Sequence, residues 1–246
     1  MKRYGLIGYP LGHSFSRDYF MDKFRKEGID AVYDNFPLKD LTDFRKMPER
    51  YPGLEGLNIT IPYKSRVIDL LDDVEGRAAE TGAVNVVKIT EKGGCWFFKG
   101  YNSDIDGFVL SLLPLLGESR GKALVLGTGG ASLAVRAGLE EIGMEYSVVS
   151  RHSEKAAYSY SDITDDILKA YRLIVNASPV GMYPSDNEAP DLPYHALDSN
   201  HILYDLVYNP VETLFLKKGK ERGCITKNGL EMLYIQADKA WEIWNA

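Results

Sequence analysis

Apolar positions along the first hundred residues form short runs, separated by stretches of helical spacing. The runs are typical of strands and cover residues 3–9, 31–36, 56–61, 84–90 and 95–101. The helical spacing predicts helices over residues 17–27, 41–46, 65–71 and 74–81. Lys92-Gly93-Gly94 is a turn signal that joins the last two strands as a pair. This part of the chain is therefore predicted to form a small α/β domain.

The same alternation continues through the second part of the chain. Predicted strands cover residues 123–127, 146–150, 172–176 and 201–206. Predicted helices cover residues 107–116, 131–141, 165–171, 211–222 and 229–244. Strands that alternate with helices in this way are typical of a parallel, doubly wound sheet. Between two of these elements, residues 177–193 form a loop with four prolines; loops of this length inside compact domains are usually functional.

We place the domain boundary near residues 101–105, and we expect the last helix to pack back on the first domain. The predicted fold class is α/β, with an N-terminal α/β domain and a Rossmann-like domain. The N-terminal domain takes residues 1–103 and 225–246, and the Rossmann-like domain takes residues 104–224.

A glycine-rich turn is the strongest single motif. The apolar run Ala123–Gly127 is followed by Thr128-Gly129-Gly130-Ala131-Ser132 and then by a helical pattern with small residues on one face. Glycines at such a strand-to-helix turn let backbone N–H groups approach a pyrophosphate, and the helix start adds partial positive charge. The third position of the G-x-G-x-x-G pattern is Ser132, so a glycine-rich turn without a nucleotide is the alternative.

Composition narrows the class of protein. The 246 residues carry a net charge of −6, which argues against non-specific nucleic-acid binding. No apolar stretch approaches the roughly 18 residues that a membrane span needs, so we expect no membrane partner. The two cysteines, Cys95 and Cys224, suit a reducing compartment, and we expect a cytoplasmic protein. The four histidines show no metal-ligand spacing, so no metal is expected.

The end of the second predicted strand of the Rossmann-like domain indicates the type of dinucleotide. NAD sites usually place an acid there, about 20 residues after the glycines. This chain instead has Ser150, Arg151 and His152. Arg151 offers a charged fork for a 2′-phosphate, with Ser150 as an extra donor, which favours NADP. The alternative is a solvated arginine on a surface turn.

Lys64 and Asp104 are the candidate catalytic pair, since each follows the end of an apolar strand, where α/β proteins build their sites. Reduction of a ketone needs a hydride, which a nicotinamide supplies, and a proton from a positioned acid. Lysine can supply that proton, and a carboxylate can bind a substrate hydroxyl. Solvated surface charges are the alternative for both residues.

Two further groups of polar residues suit a hydroxylated or carboxylated ligand. Ser14 and Ser16 lie in a loop after the first strand. Gln236 is flanked by the apolar face of the last helix, where a buried amide needs a partner. Local turn hydrogen bonds for the serines and a surface position for the glutamine are the alternatives.

Together these segments resemble the shikimate dehydrogenase family over essentially the whole chain. The matching motifs, in the order found in the family, are GYPLGHSFS (8–16), NITIPYK (58–64), GAVNVV (82–87), GYNSDIDGF (100–108), VLGTGGAS (125–132), NASPVGM (176–182), DLVYNPVET (205–213) and NGLEMLYIQA (228–237). The resemblance implies reversible, NADP-linked reduction of 3-dehydroshikimate to shikimate, in the pathway to chorismate and the aromatic amino acids, by a monomer or homodimer.

The resemblance also implies roles for individual residues. Lys64 and Asp104 match the catalytic pair of the family. Substrate-binding positions fall on Ser14, Ser16, Asn58, Thr60, Asn85, Tyr208 and Gln236. Cofactor-binding positions fall on Gly127, Gly129, Gly130, Ala131, Ser150, Arg151, His152, Met182 and Gly229. Ser150 and His152 depart from the usual Asn-Arg-Thr of the family. A quinate/shikimate enzyme that uses NAD and a non-catalytic nucleotide-binding regulator on the same fold remain as alternatives.

Overall fold

The computed structural model describes residues 1–12, 14–117, 120–151 and 156–246. The chain forms two compact units. The first unit comprises Met1–Ser103 and Ala237–Ala246, and the second comprises Asp104–Gln236. The division near residue 103 lies inside the expected boundary region. The chain returns to the first unit at Ala237, whereas the expected N-terminal domain included residues 225–236.

The first unit contains a mixed six-stranded sheet. Its strands are β1 (Lys2–Gly8), β2 (Ala31–Pro37), β3 (Leu54–Ile59), β4 (Asp73–Val74), β5 (Val86–Lys92) and β6 (Cys95–Tyr101). They lie in the order β2-β1-β3-β5-β6-β4. β2 and β3 both run parallel to β1, whereas β5 is antiparallel to β3 and to β6. The carboxyl ends of the three parallel strands therefore meet at one edge of the sheet.

The helices of the first unit are α1 (Phe15–Glu27), α2 (Met47–Arg50) and α3 (Gly76–Thr81), with short 3₁₀ turns at Phe44–Lys46 and Ile68–Leu70. Ser14 caps α1, and Gly28, with φ of 67°, ends it. The helix predicted over residues 65–71 is wrong except for the 3₁₀ turn. The reason is a long-range one: the amides of Asp72 and Glu75 donate to carbonyls of β6, which draws the intervening residues into β4.

Both faces of this sheet are covered by apolar side chains. One face packs on a cluster that includes Phe36, Phe44, Leu57 and Phe98. The other packs on a cluster that includes Tyr4, Phe20, Tyr33, Ala240 and Trp244, the last two from the C-terminal helix. A Cβ at Gly56 would lie 2.4 Å from the Trp244 ring, so this close approach requires glycine.

The second unit contains a five-stranded parallel sheet. Its strands are β7 (Ala123–Leu126), β8 (Tyr146–Val149), β9 (Leu173–Asn176), β10 (Ile202–Asp205) and β11 (Ile225–Lys227), in the order β11-β10-β9-β7-β8. Its helices are α4 (Ser103–Leu116), α5 (Gly130–Glu141), α6 (Asp165–Lys169) and α7 (Leu214–Lys220), with 3₁₀ turns at Tyr160–Asp162 and Tyr194–Ala196. Strand order reverses between β7 and β9, which is where open α/β sheets bind ligands.

The last helix, α8 (Leu230–Asn245), contributes to both units. Met232 belongs to the core of the second unit, and Ala237, Ala240 and Trp244 belong to the core of the first. The prediction that the last helix packs back on the first domain is therefore confirmed, as is the α/β fold class. β11 was not predicted from the sequence. Its pairing with β10, which matches Ile202 to Ile225, keeps residues 225–227 in the second unit.

Candidate functional site

A cavity of about 980 Å³ lies in the second unit, beside the residues that follow β7, β8 and β9. It brings together five of the predicted cofactor-binding residues: Gly127, Gly129, Ser150, Arg151 and Met182. The other described members of that set, Gly130, Ala131 and Gly229, do not line it. The cavity lies where the strand order reverses, which is the usual ligand site of open α/β sheets.

The glycine turn forms one wall of this cavity. Gly127 has a φ of 115°, a conformation that favours glycine, and its amide donates to the Val149 carbonyl at 2.9 Å. A Cβ at Gly127 would lie 3.2 Å from the Ala177 carbonyl oxygen. At Gly129 and Gly130 an added Cβ would meet only open space. The backbone at the start of α5, where the first N–H groups of a helix lack intrahelical partners, therefore has open space beside its glycines, as a pyrophosphate cradle requires.

Ser132 occupies the position where the glycine pattern fails. Its side chain is fully buried within α5, and its hydroxyl has no hydrogen-bond partner among the residues that the structure describes. It does not line the cavity. The third position of the motif therefore serves the packing of α5, as this position does in dinucleotide folds, and an unpartnered hydroxyl there is a small cost to stability.

The end of β8 supplies the basic wall. Ser150 is buried and its amide donates to the Tyr158 carbonyl at 3.0 Å, while the Arg151 side chain is exposed and lines the cavity. The two residues that follow Val149 are Ser150 and Arg151, so no acid stands at this strand end. His152 lies outside the described residues. Tyr160 lines the same cavity, and nothing in its local sequence pattern indicated this.

The long proline-containing loop supplies much of the remaining wall, through residues 177–180, 182–185 and 188–191. Asn176, at the end of β9, holds its first turn: its Nδ2 donates to the Val180 carbonyl at 3.1 Å, and its Oδ1 accepts from the Ser178 hydroxyl at 2.6 Å. The expectation that this loop is functional rested on its length and prolines. The role of Asn176 in anchoring this loop was not predicted.

Asp205, at the end of β10, completes that anchor. Its fully buried carboxylate accepts hydrogen bonds from Asn176 Nδ2 at 2.9 Å, the Val207 amide at 3.0 Å and the Thr213 hydroxyl at 2.5 Å. Burial raises the pKa of Asp205 to about 6, because the three hydrogen bonds offset only part of the loss of hydration. We call Asn176, Asp205 and Thr213 the carboxylate network.

The first unit has its own buried polar group, which we call the amide network: Tyr33, Asn58, Asn85 and Ser103. The Tyr33 hydroxyl donates to Asn58 Oδ1 at 2.7 Å, and Asn58 Nδ2 donates to the Asn85 carbonyl at 3.4 Å. Asn85 Oδ1 accepts from the Ser103 amide at 2.7 Å. Asn58 and Asn85, both predicted to bind substrate, are thereby held in fixed orientations, with exposures of 6% and 3%.

The other predicted residues of the first unit lie near the start of α1 and the end of β3. The Ser14 hydroxyl accepts from the Arg17 amide at 3.3 Å, so the local turn bond considered as an alternative is present. Ser16 is half-buried, and its hydroxyl is near enough to the Tyr33 phenol to lower the pKa of that phenol against the larger, opposite effect of burial. Thr60 follows β3 directly, and Lys64 is half-buried, with its carbonyl accepting from the Val84 amide at 2.8 Å.

The remaining predicted residues belong to the second unit. Asp104 lies in the first turn of α4 and is 9% exposed, so it is not the solvated surface charge considered as an alternative. Gln236 is 8% exposed and its Nε2 donates to the Leu233 carbonyl at 2.9 Å. Tyr208 is exposed. The Gly229 amide donates to the Val207 carbonyl, and a Cβ at Gly229 would lie 2.2 Å from the Leu206 carbonyl oxygen.

Among residues 1–12, 14–117, 120–151 and 156–246, no group of three or more His, Cys, Asp or Glu side chains could hold a metal ion. No helix in the same part of the chain is long and apolar enough to cross a membrane.

The second unit combines a parallel sheet with a glycine turn and a basic strand end around one cavity, which is typical of a dinucleotide-binding fold. The first unit is a separate α/β unit with buried amides. The family to which such a chain belongs follows from its similarity to known proteins. A family profile described as the shikimate dehydrogenase substrate binding domain matches residues 6–87.

Full-length relatives extend this match. The chain is 36% identical over an alignment of 260 residues to the NADP(+) shikimate dehydrogenase of Carboxydothermus hydrogenoformans, covering 98% of this chain and 90% of that protein. The corresponding protein of Aquifex aeolicus is 37% identical over 252 residues, with 98% and 90% coverage.

Solved structures agree with these relatives. The shikimate 5-dehydrogenase of Thermus thermophilus in complex with NADP(H) and shikimate has a TM-score of 0.86 at 31% identity, covering 99% of this chain and 93% of that one. The quinate dehydrogenase of Corynebacterium glutamicum in complex with NAD has a TM-score of 0.88 at 29% identity, with the same coverage. The chain belongs to the shikimate dehydrogenase family, and it is an oxidoreductase.

Proposed function

We propose that this protein catalyses the reversible, NADP-linked reduction of 3-dehydroshikimate to shikimate. Full-length similarity to NADP(+) shikimate dehydrogenases supports the reaction class. In this assignment the second unit binds the dinucleotide, and the first unit contributes most of the residues proposed to bind the hydroxylated carboxylic acid.

The second unit fits the dinucleotide in two respects. The open backbone at Gly129 and Gly130 leaves room for a pyrophosphate, and the cavity of about 980 Å³ extends from there to Met182. The observation that carries the choice of NADP is Arg151, which lines this cavity at the end of β8, where an NAD site would place an acid. Its guanidinium is suited to a 2′-phosphate.

The polar residues of the predicted substrate site receive the following roles. Ser14, Ser16, Asn58, Thr60, Asn85, Tyr208 and Gln236 bind the hydroxyl and carboxylate groups of the substrate. The bound nicotinamide supplies or accepts the hydride. Lys64 donates a proton to the carbonyl oxygen during reduction and takes it back during oxidation, and Asp104 binds a substrate hydroxyl. Gly130, Ala131, His152 and Gly229 complete the proposed cofactor set.

Similarity to a quinate dehydrogenase that binds NAD favours a second candidate, an NAD-linked quinate or shikimate enzyme. This candidate is disfavoured because Ser150 and Arg151 follow β8, where an NAD site would place an acid. A non-catalytic nucleotide-binding regulator is a third reading of the fold, but this chain has both Lys64 and Asp104.

A direct assay tests the proposal. Purified protein is given shikimate and NADP⁺, and the absorbance at 340 nm is followed while the product is identified by mass spectrometry. We expect NADPH and a product that is two hydrogens lighter than shikimate, and reversal when NADPH and that product are supplied. If the absorbance at 340 nm does not change even when the protein is as concentrated as the cofactor, the proposal is overturned.

A further inference from the structure

Tyr33 is a buried phenol that neither the sequence motifs nor the proposed chemistry uses. It lies in β2, its side chain is 1% exposed, and its ring stacks on Phe20 with a centroid distance of 4.8 Å and an interplanar angle of 13°. The ring is thus fixed by packing, and its hydroxyl can reach only a small region. That region contains Asn58, at 2.7 Å, and Ser16, both proposed to bind substrate.

The hydrogen bonds around Asn58 leave a single orientation for its amide. The Asn85 main-chain carbonyl can only accept, so Asn58 must turn its NH₂ group towards it. Asn58 Oδ1 then faces the Tyr33 hydroxyl, which donates to it. An amide has two N–H groups, and the second N–H of Asn58 is the one that can serve a ligand oxygen.

We propose that Tyr33 is a positioning residue for substrate recognition: by holding Asn58 Oδ1, it aims an Asn58 N–H group at a hydroxyl oxygen of the bound substrate. This inference rests on the proposed function. Without the phenol hydroxyl, Asn58 Oδ1 would be buried without a donor, and only the long 3.4 Å bond from Nδ2 to the Asn85 carbonyl would still hold the amide. The second N–H group of Asn58 would then be aimed less precisely, and its hydrogen bond to the substrate hydroxyl would weaken.

Tyr4 provides a matched control. It is also a fully buried tyrosine of the same aromatic cluster, and its ring stacks on Trp244 at 4.8 Å. Its hydroxyl donates to Glu55 Oε2 at 3.1 Å, and Glu55 is not among the predicted substrate residues. Tyr4→Phe therefore removes a buried phenol hydroxyl without disturbing Asn58.

The experiment compares Tyr33→Phe with Tyr4→Phe in steady-state oxidation of shikimate at saturating NADP⁺, which also stabilises the native state. We expect Tyr33→Phe to raise KM for shikimate about tenfold, as the loss of one well-aimed hydrogen bond would. We expect kcat and KM for NADP⁺ to change less than about threefold. Tyr4→Phe should leave all three constants near those of the wild type. Thermal unfolding of both variants checks that each is folded.

A double-mutant cycle tests whether Tyr33 acts through Asn58. Adding Tyr33→Phe to Asn58→Ala should raise KM for shikimate no further, because the group that Tyr33 positions is already gone. Additive effects, or equal effects of Tyr33→Phe and Tyr4→Phe, would overturn this inference and leave the proposed function intact. An inactive wild type would overturn both. If Tyr33→Phe fails to fold, the same cycle is run with Tyr33→Met, which also removes the hydroxyl and whose flexible side chain adapts to an apolar cavity.

Discussion

The two units each bury a polar network beside their part of the proposed site, and the networks differ in charge. The amide network of the first unit consists of neutral groups, and burial moves the pKa of Tyr33 further above its ordinary value. The carboxylate network of the second unit contains Asp205, whose pKa burial raises to about 6. The amide network therefore keeps the same hydrogen bonds across the neutral pH range. In the carboxylate network, Asp205 loses its proton as the pH rises through about 6.

The difference matches what each unit is proposed to bind. A hydroxylated ring is recognised by donors and acceptors in fixed directions, and a site built to pair them rejects ligands that leave them unpaired. A dinucleotide is held by backbone N–H groups and a guanidinium, which act mainly through charge. The residues of the carboxylate network do not line the cavity themselves. They anchor the loop that starts at Ala177.

The largest expected effect separates chemistry from cofactor binding. Lys64→Ala removes the proposed proton donor, so kcat for shikimate oxidation should fall by about 10²–10⁴-fold. NADPH binding, measured by fluorescence titration, should stay within about threefold, because the cavity lies in the second unit. Lys39→Ala, at an exposed lysine of the first unit, is the control. An unchanged kcat would remove Lys64 from its role.

The next effect tests the contrast between the networks through pH. Because the folded pKa of Asp205 is about 6 against an ordinary 3.8, the fold favours the protonated form. Its stabilising contribution is present in full below pH 3.8 and is lost as pH rises through 6. Asp205→Asn stays neutral. The wild type should therefore lose about 2 kcal/mol of unfolding free energy relative to this variant between about pH 4 and pH 7.

Urea unfolding of both proteins at a series of pH values measures this difference, since carboxylates common to both cancel. Tyr33→Phe serves as the comparison from the amide network, and its difference from the wild type should be constant over the same pH range. A pH-independent difference between the wild type and Asp205→Asn would contradict the account of the carboxylate network.

A smaller effect concerns cofactor choice. Arg151→Ala should raise KM for NADP⁺ about tenfold and leave KM for NAD⁺ nearly unchanged, because only NADP⁺ carries the 2′-phosphate. Arg222→Ala, at another exposed arginine of the second unit, controls for net charge. Equal increases for both cofactors would show that Arg151 contacts a part common to the two.

The smallest effect concerns the buried hydroxyl at the start of α5. Ser132→Ala removes a group with no partner among the described residues, so the free energy of unfolding should stay equal or rise by up to about 1 kcal/mol. Ser111→Ala is a contrasting control, because the buried Ser111 hydroxyl pairs with the Tyr204 hydroxyl at 2.7 Å and its loss should destabilise. A Ser132→Ala variant as destabilised as Ser111→Ala would show a hydrogen bond that this account omits.

Local patterns predicted the parts of the molecule that depend on neighbours in sequence. The turn from Gly127 to Gly130 and the basic end of β8 are short segments whose chemistry is visible in the residues themselves. The helix expected over residues 65–71 was wrong because hydrogen bonds to β6 determine the conformation of that segment. One of them joins the Phe98 amide to the Asp72 carboxylate, and these two residues are 26 positions apart in sequence.

The two networks escaped prediction for the same reason. Tyr33 and Asn58 are 25 residues apart, and Asn176 and Asp205 are 29 apart. Each lies in a strand whose own sequence gives no sign of the residue on another strand with which it pairs. Asn58 was found only through the family resemblance, whereas Tyr33 and Asp205 required the register of the sheets.

The most direct test of the central claim is a two-by-two set of steady-state assays, with shikimate or quinate as substrate and NADP⁺ or NAD⁺ as cofactor. We expect the highest kcat/KM for shikimate with NADP⁺, since the first unit supplies the amide network and the second supplies Arg151. A higher kcat/KM for quinate with NAD⁺, or no activity in all four combinations, would contradict it.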